Sequence, residues 1–181
     1  MNVGSERTLA VFVDFENLAL GLQNSPGSKV QAKFDIQKVL ERMVEKGKIL
    51  VKKAYADWGR FVPYKQALHD AAFELVDILK RIKTGKNSAD IRLCVDAMDL
   101  CYSKEHIDTF IILSGDSDFS PLVSKLKENG KQVLGLGMKD STSSLLLDNC
   151  DEFIYYEDLG RSAATAKPPK MSGRISKKRK E

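Results

Sequence analysis

Two short apolar runs that end in acids constrain this chain more than any other feature. One is Thr8-Leu9-Ala10-Val11-Phe12-Val13-Asp14. The other is Thr109-Phe110-Ile111-Ile112-Leu113, preceded by Asp108 and followed by Ser114-Gly115-Asp116-Ser117-Asp118-Phe119. An unbroken apolar run of this length, bounded by turn residues, reads as a buried strand of a parallel sheet. The second run delivers two carboxylates one residue apart. Like charges about 4 Å apart repel by roughly 4 kcal/mol at an effective dielectric near 20. Such a pair calls for a compensating charge, and a hard divalent cation bound by oxygens is the common one. Helix capping by Asp116 or Asp118 is the competing reading, since Asp is a favoured N-cap.

The remaining runs alternate. Ile49 to Asp57 reads as a second strand, Glu74 to Ile82 as a third near a sheet edge, Gln132 to Gly137 as a fifth, and Phe153 to Tyr156 as a short last one. Between them, Asp35 is a good N-cap for a helix stopped by Gly47, and Pro63 suits the first turn of a helix over Tyr64 to Ala72. Further helices are expected over Asp90 to Tyr102, Phe119 to Asn129 (stopped by Gly130) and Ser143 to Leu147, while Phe15 to Gln23 is a loop or short helix. Alternating strands and helices imply an α/β domain whose central, mainly parallel sheet has about five strands and helices on both faces. Ligands of such sheets bind beyond the carboxyl ends of the strands, where the strand order reverses. Asp14, Asp116 and Asp118 all stand at carboxyl ends.

Composition narrows the class. The chain has 181 residues, 43% hydrophobic and 30% charged, which fits one globular domain and a tail. No apolar run approaches the roughly 20 residues of a membrane span, and no signal-like segment opens the chain, so a cytoplasmic protein is expected. Cys94, Cys101 and Cys150 lack zinc-ligand spacing and read as reduced thiols; His69 and His106 have no Cys partners at ligand spacing. Eight basic residues against Glu181 give the segment from Arg161 a charge of +7, so the chain's net +4 leaves residues 1–160 at −3. The basic tail, 161–181, is expected to be disordered, with nonspecific phosphate binding or a localisation-like signal as its competing roles.

Asp90 opens a helix, where an anion is favoured by the helix dipole. Helical periodicity with Ile91, Cys94, Val95, Met98 and Tyr102 on the packed face leaves Asp90 on the flank and turns Asp96 and Asp99 to solvent.

These residues carry a resemblance. Val13-Asp14-Phe15-Glu16-Asn17 resembles the first motif of NYN domains, a PIN-like nuclease group that includes LabA-like and limkain-type proteins. Lys86 to Ala97 is similar to the second motif and Ser114 to Leu122 to the third. The second motif departs mildly, with Ser88-Ala89 where the family commonly has Gly-Val. The resemblance covers roughly Thr8 to Leu159. It implies a PIN-like three-layer sandwich over residues 1–160, and a Mg²⁺- or Mn²⁺-dependent ribonuclease site built from Asp14, Asp90, Asp116 and Asp118. The family also has an acid where Asp96 stands, which conflicts with the periodicity.

Around that cluster, Asn17 would orient Asp14 or touch substrate, and Ser114 would hydrogen-bond a carboxylate or phosphate. Trp58 and Arg60, on the same rim, would stack on a base and hold a phosphate, with packing of Trp58 against its loop as the competing reading. Lys86 would meet a phosphate or stay solvated. The expected activity is endonucleolytic hydrolysis of single-stranded RNA by a metal-activated water. The alternatives are a noncatalytic RNA- or protein-binding regulator, and a Toprim-type phosphodiesterase. Protein partners and a homodimer stay open.

Overall fold

The computed structural model describes residues 5–24, 33–79 and 88–160. Strand β1 (Thr8–Asp14) lies at the middle of the sheet and is buried along nearly its whole length. It pairs in parallel with β2 (Lys48–Ala56) on one side and β4 (Thr109–Leu113) on the other. Strand β3 (Glu74–Asp77) lies outside β2, and β5 (Gln132–Gly137) and β6 (Glu152–Tyr155) extend the other edge. The sheet has six strands in the order β3-β2-β1-β4-β5-β6, every neighbouring pair parallel. The fold class is the expected one: each of the six strands falls on a run read as a strand, against a stated total of about five, and no antiparallel pair occurs among the described strands.

Alternation along β1 separates two cores. Leu9, Val11 and Val13 pack against α1 (Phe15–Gln23), α2 (Ile36–Val44) and α3 (Val62–Asp70). Ala10 and Phe12 pack on the opposite face with α4 (Ser88–Ser103), α5 (Ser120–Glu128) and α6 (Ser144–Asn149). The result is three layers. Because successive strand side chains point to opposite faces, a run apolar at every position is what two covered faces require. Asp35 caps α2 as its sequence suggests, accepting from the Gln37 amide at 3.0 Å. Gly130, at a φ of 75°, ends α5 in the left-handed region that glycine enters without penalty.

Of the two forms expected for the segment after Asp14, the structure has the short helix, α1, with the ring of Phe15 at its first residue meeting Phe34, Trp58, Phe61 and Tyr64. Two other expectations are corrected. Strand β3 ends at Asp77, whose carboxylate accepts from the Trp58 amide, and Ile78 and Leu79 are not strand; the rest of the expected strand, 80–82, lies outside the described residues. The packed face of α4 is also different. Leu93, Ala97 and Cys101 are buried, while Ile91, Val95 and Tyr102 are each more than half exposed. The helix carries two apolar stripes, and the stripe with smaller side chains lies against the sheet. With 100° per residue, Asp90 and Asp96 stand about 60° to either side of Leu93. Asp96 is therefore at the edge of the packed face, not opposite it, and its side chain is only 15% exposed.

Candidate acidic site at the strand switch point

Strand order reverses between β1 and β4, so a crevice opens beyond their carboxyl ends. Register places Val13 beside Leu113, and the residues that follow, Asp14 and Ser114, face each other across the two strands. Ser114 Oγ donates to Asp14 Oδ2 at 3.1 Å and accepts from the Asp116 amide at 3.2 Å. Asn17, in the first turn of α1, accepts the Gly115 amide on its Oδ1 at 3.0 Å. Asn17 and Ser114 thus fasten the loop after β4 to the end of β1. Gly115 also lies against Thr142, whose Cα would be 2.9 Å from any added Cβ, so the loop has no room for a side chain there.

Asp116 accepts the Asp118 amide on Oδ1 at 2.9 Å, capping the short 3-10 turn Ser117–Phe119. Capping occupies one of its oxygens and turns Asp118 toward α4. Carboxylate oxygens of Asp90, Asp116 and Asp118 lie within 4.8 Å of one another. Two oxygens that share a cation at about 2.1–2.4 Å are separated by no more than roughly that span. The donor set is all hard oxygen, as Mg²⁺ or Mn²⁺ prefers.

Asp14 sits behind this group and is only 5% exposed. Burial pushes its carboxyl up to about 7, helped by the charges of Asp90 and Asp116, while the Ser114 hydroxyl and the Asn17 backbone amide pull the other way. Asp90 is raised to about 6, again by burial first and then by Asp116, Asp118 and Glu16. Four acids and Glu16 thus share one electrostatic site.

Glu16 was not singled out in the sequence, although it stands in the first motif. Its Oε1 accepts from Arg60 Nη1 at 2.9 Å. Arg60 keeps a side chain 47% exposed, with its guanidinium 5.6 Å from the Phe61 ring centre. It brings a cation to the rim, and this is compatible with its expected role. Trp58 is a correction. It is 3% exposed, its Nε1 donates to the Val76 carbonyl, and its ring packs on Phe15, so it has no free face for a base. Asp96 is a second correction. Its carboxylate accepts from the fully buried Tyr55 Oη at 2.7 Å and from Arg92 Nε at 3.2 Å, outside the group of three. Lys86 and the tail 161–181 lie outside the described residues.

The raised carboxyl of Asp14 has a consequence for stability. A carboxyl ordinarily near 3.8 that stands near 7 in the fold keeps its proton while the unfolded chain has lost it. Stability therefore falls as pH rises from about 4 to about 7, then levels off. With chelator present, Asp14→Asn is expected to melt about 5 °C above wild type at pH near 8, on the order of 2 kcal/mol, and to match it at pH near 4.5. Circular-dichroism melts at the two pH values check this. An equal offset at both would contradict the burial of an ionisable Asp14.

Comparison with known proteins follows the same lines. A family model described as the NYN domain matches residues 8–157. An uncharacterized protein of Methanocaldococcus jannaschii is 26% identical over 149 residues, covering 82% of this chain and 55% of its own length. The chain thus spans about half of that relative. A crystal structure of a Vibrio parahaemolyticus protein of unknown function superposes with a TM-score of 0.72 at 24% identity, covering 87% of this chain and 98% of the other. It supports the fold.

Proposed function

Because this chain belongs to the NYN domain family of PIN-like nucleases, we propose that it is a divalent-metal-dependent endoribonuclease acting on single-stranded RNA. The observation that carries this reading is the meeting of Asp90, Asp116 and Asp118 at the switch point, in front of the buried Asp14. Asp90, Asp116 and Asp118 would hold Mg²⁺ or Mn²⁺. Such a cation, when bound, lowers the pKa of a coordinated water and offsets charge on the phosphodiester oxygens.

The chain's own groups do the rest. Asp14 is oriented by Ser114 and carries a carboxyl raised toward neutral pH, so it can accept a proton near working pH. Asn17 holds the Gly115 amide and thereby the Asp116 loop in register with Asp14. Tyr55 and Arg92 hold Asp96, which anchors α4 on β2 and so positions Asp90 on the same helix. Arg60 supplies the rim cation for a neighbouring phosphate.

Incubating the purified protein with a single-stranded RNA and its DNA counterpart, in Mn²⁺ or in chelator, tests the proposal. Cuts in RNA that require Mn²⁺ are expected. No cutting in Mn²⁺ would favour a noncatalytic binding module, undiminished cutting in chelator would exclude the metal, and equal cutting of DNA would exclude an RNA-specific enzyme.

A further inference from the structure

A groove of about 770 Å³ adjoins the acidic site and shares Asp90 and Asp118 with it. Its outer wall is the second apolar stripe of α4, Ile91 and Val95, with Leu145 of α6 opposite, all more than half exposed. The other wall is a row of hydroxyls on the 3-10 turn and α5: Ser117, Ser120 and Ser124. Ser120 is 6% exposed, and its buried Oγ has no hydrogen-bond partner among the described residues. A buried hydroxyl left unpaired is costly, so it is rarely left without an atom to meet. No Lys or Arg lines the groove, so nothing in it favours a phosphate.

We propose that this groove takes the nucleobase adjoining the phosphodiester held at the acidic site. A base has apolar faces and a polar edge. The groove offers aliphatic contact on one side and, on the other, the exposed hydroxyls of Ser117 and Ser124, each able to donate or accept, with the unpartnered Ser120 hydroxyl buried beneath them. Its volume lies within the range of small-molecule sites and accommodates one nucleoside. Continuity through Asp90 and Asp118 argues for a nucleotide rather than a protein segment, since a strand whose phosphate lies at the acids must pass its next base into the space beside them. Contact with hydroxyls that serve as donor or acceptor admits more than one base, so the expected selectivity is graded rather than absolute.

The inference rests on the metal-site reading, and the test separates the two. Thermal melts with Mn²⁺ alone report the metal site. Titration calorimetry in Mn²⁺ then compares AMP with ribose phosphate, which lacks the base. Wild type is expected to bind AMP about tenfold more tightly. Ser124→Leu, which fills the hydroxyl wall at an exposed helix position, should bring that ratio close to one and leave the Mn²⁺ shift unchanged. The double variant Ile91→Ala, Val95→Ala should do the same by removing the apolar wall, and covers the case in which Ser124→Leu folds poorly. Equal affinity for the two ligands in wild type, beside a normal Mn²⁺ shift, overturns the groove assignment alone. So does a ratio that both variants leave intact. Absence of any Mn²⁺ shift overturns the metal site and the groove assignment with it. A wild-type dimer in sedimentation that Ile91→Ala, Val95→Ala dissolves, with no effect on the AMP ratio, assigns the face to a second copy instead.

Discussion

Asp116→Asn is expected to lower Mn²⁺-dependent RNA cleavage by about a thousandfold, which corresponds to roughly 4 kcal/mol of lost stabilisation. The substitution is chosen because the fold does not depend on the charge. Asp116 Oδ1 accepts the Asp118 amide to cap its turn, and an Asn carbonyl oxygen at the same place accepts the same bond. What disappears is one anionic oxygen from the group of three. With one repulsion removed, the metal-free variant should melt no lower than wild type. Its stabilisation by Mn²⁺ should be much reduced. Asp99→Asn, on the exposed side of α4, is the matched control and should cut like wild type. If Asp116→Asn retains more than about a tenth of the activity, the carboxylate is not a ligand that the reaction needs.

The second large effect is on stability. Phe15→Ala is expected to cost about 3–5 kcal/mol, lowering the melting temperature by about 10 °C. Phe15 is fully buried, and its ring centre lies 5.6 Å from Phe34, 5.2 Å from Trp58, 5.2 Å from Phe61 and 4.9 Å from Tyr64. Four large rings around one truncated side chain cannot close the space without leaving their own packed positions. Phe15 also stands between Asp14 and Glu16, so the cavity opens under the site. Urea denaturation should show a lower midpoint with an unchanged slope. A loss below about 1 kcal/mol would show that the cluster collapses onto the gap.

Much of this was legible in the residues, for identifiable reasons. Strands β1 and β4 stood out because burial on both faces leaves no polar positions, and the acids that end them marked the crevice. Asp35 and Gly130 announced helix ends through local chemistry alone. Periodicity failed on α4 because that helix has an apolar stripe on each side. Ile91 and Val95 look like core residues until a groove rather than the sheet is found beside them. Trp58 was ambiguous because its partners, Phe15 and Val76, are distant in sequence. The ion pair between Glu16 and Arg60 joins residues 44 positions apart, and nothing local signals it. Asp96 shows the same limit: its partner Tyr55 is on another element.

The hydrogen bond from Ser114 to Asp14 spans 100 positions of chain. It crosses the seam between a first half, which makes β1 to β3, and a second half, which makes β4 to β6. A nascent chain that has released only its first half holds Asp14 and none of Asp90, Asp116 or Asp118 in place around it. The acids come together only once the second half arrives and β4 docks beside β1. The mutual repulsion of the acids is concentrated at that seam. A cation that binds only the closed form favours closure by mass action, so under the proposed metal-site reading metal supply would govern how firmly the two halves of the molecule stay joined.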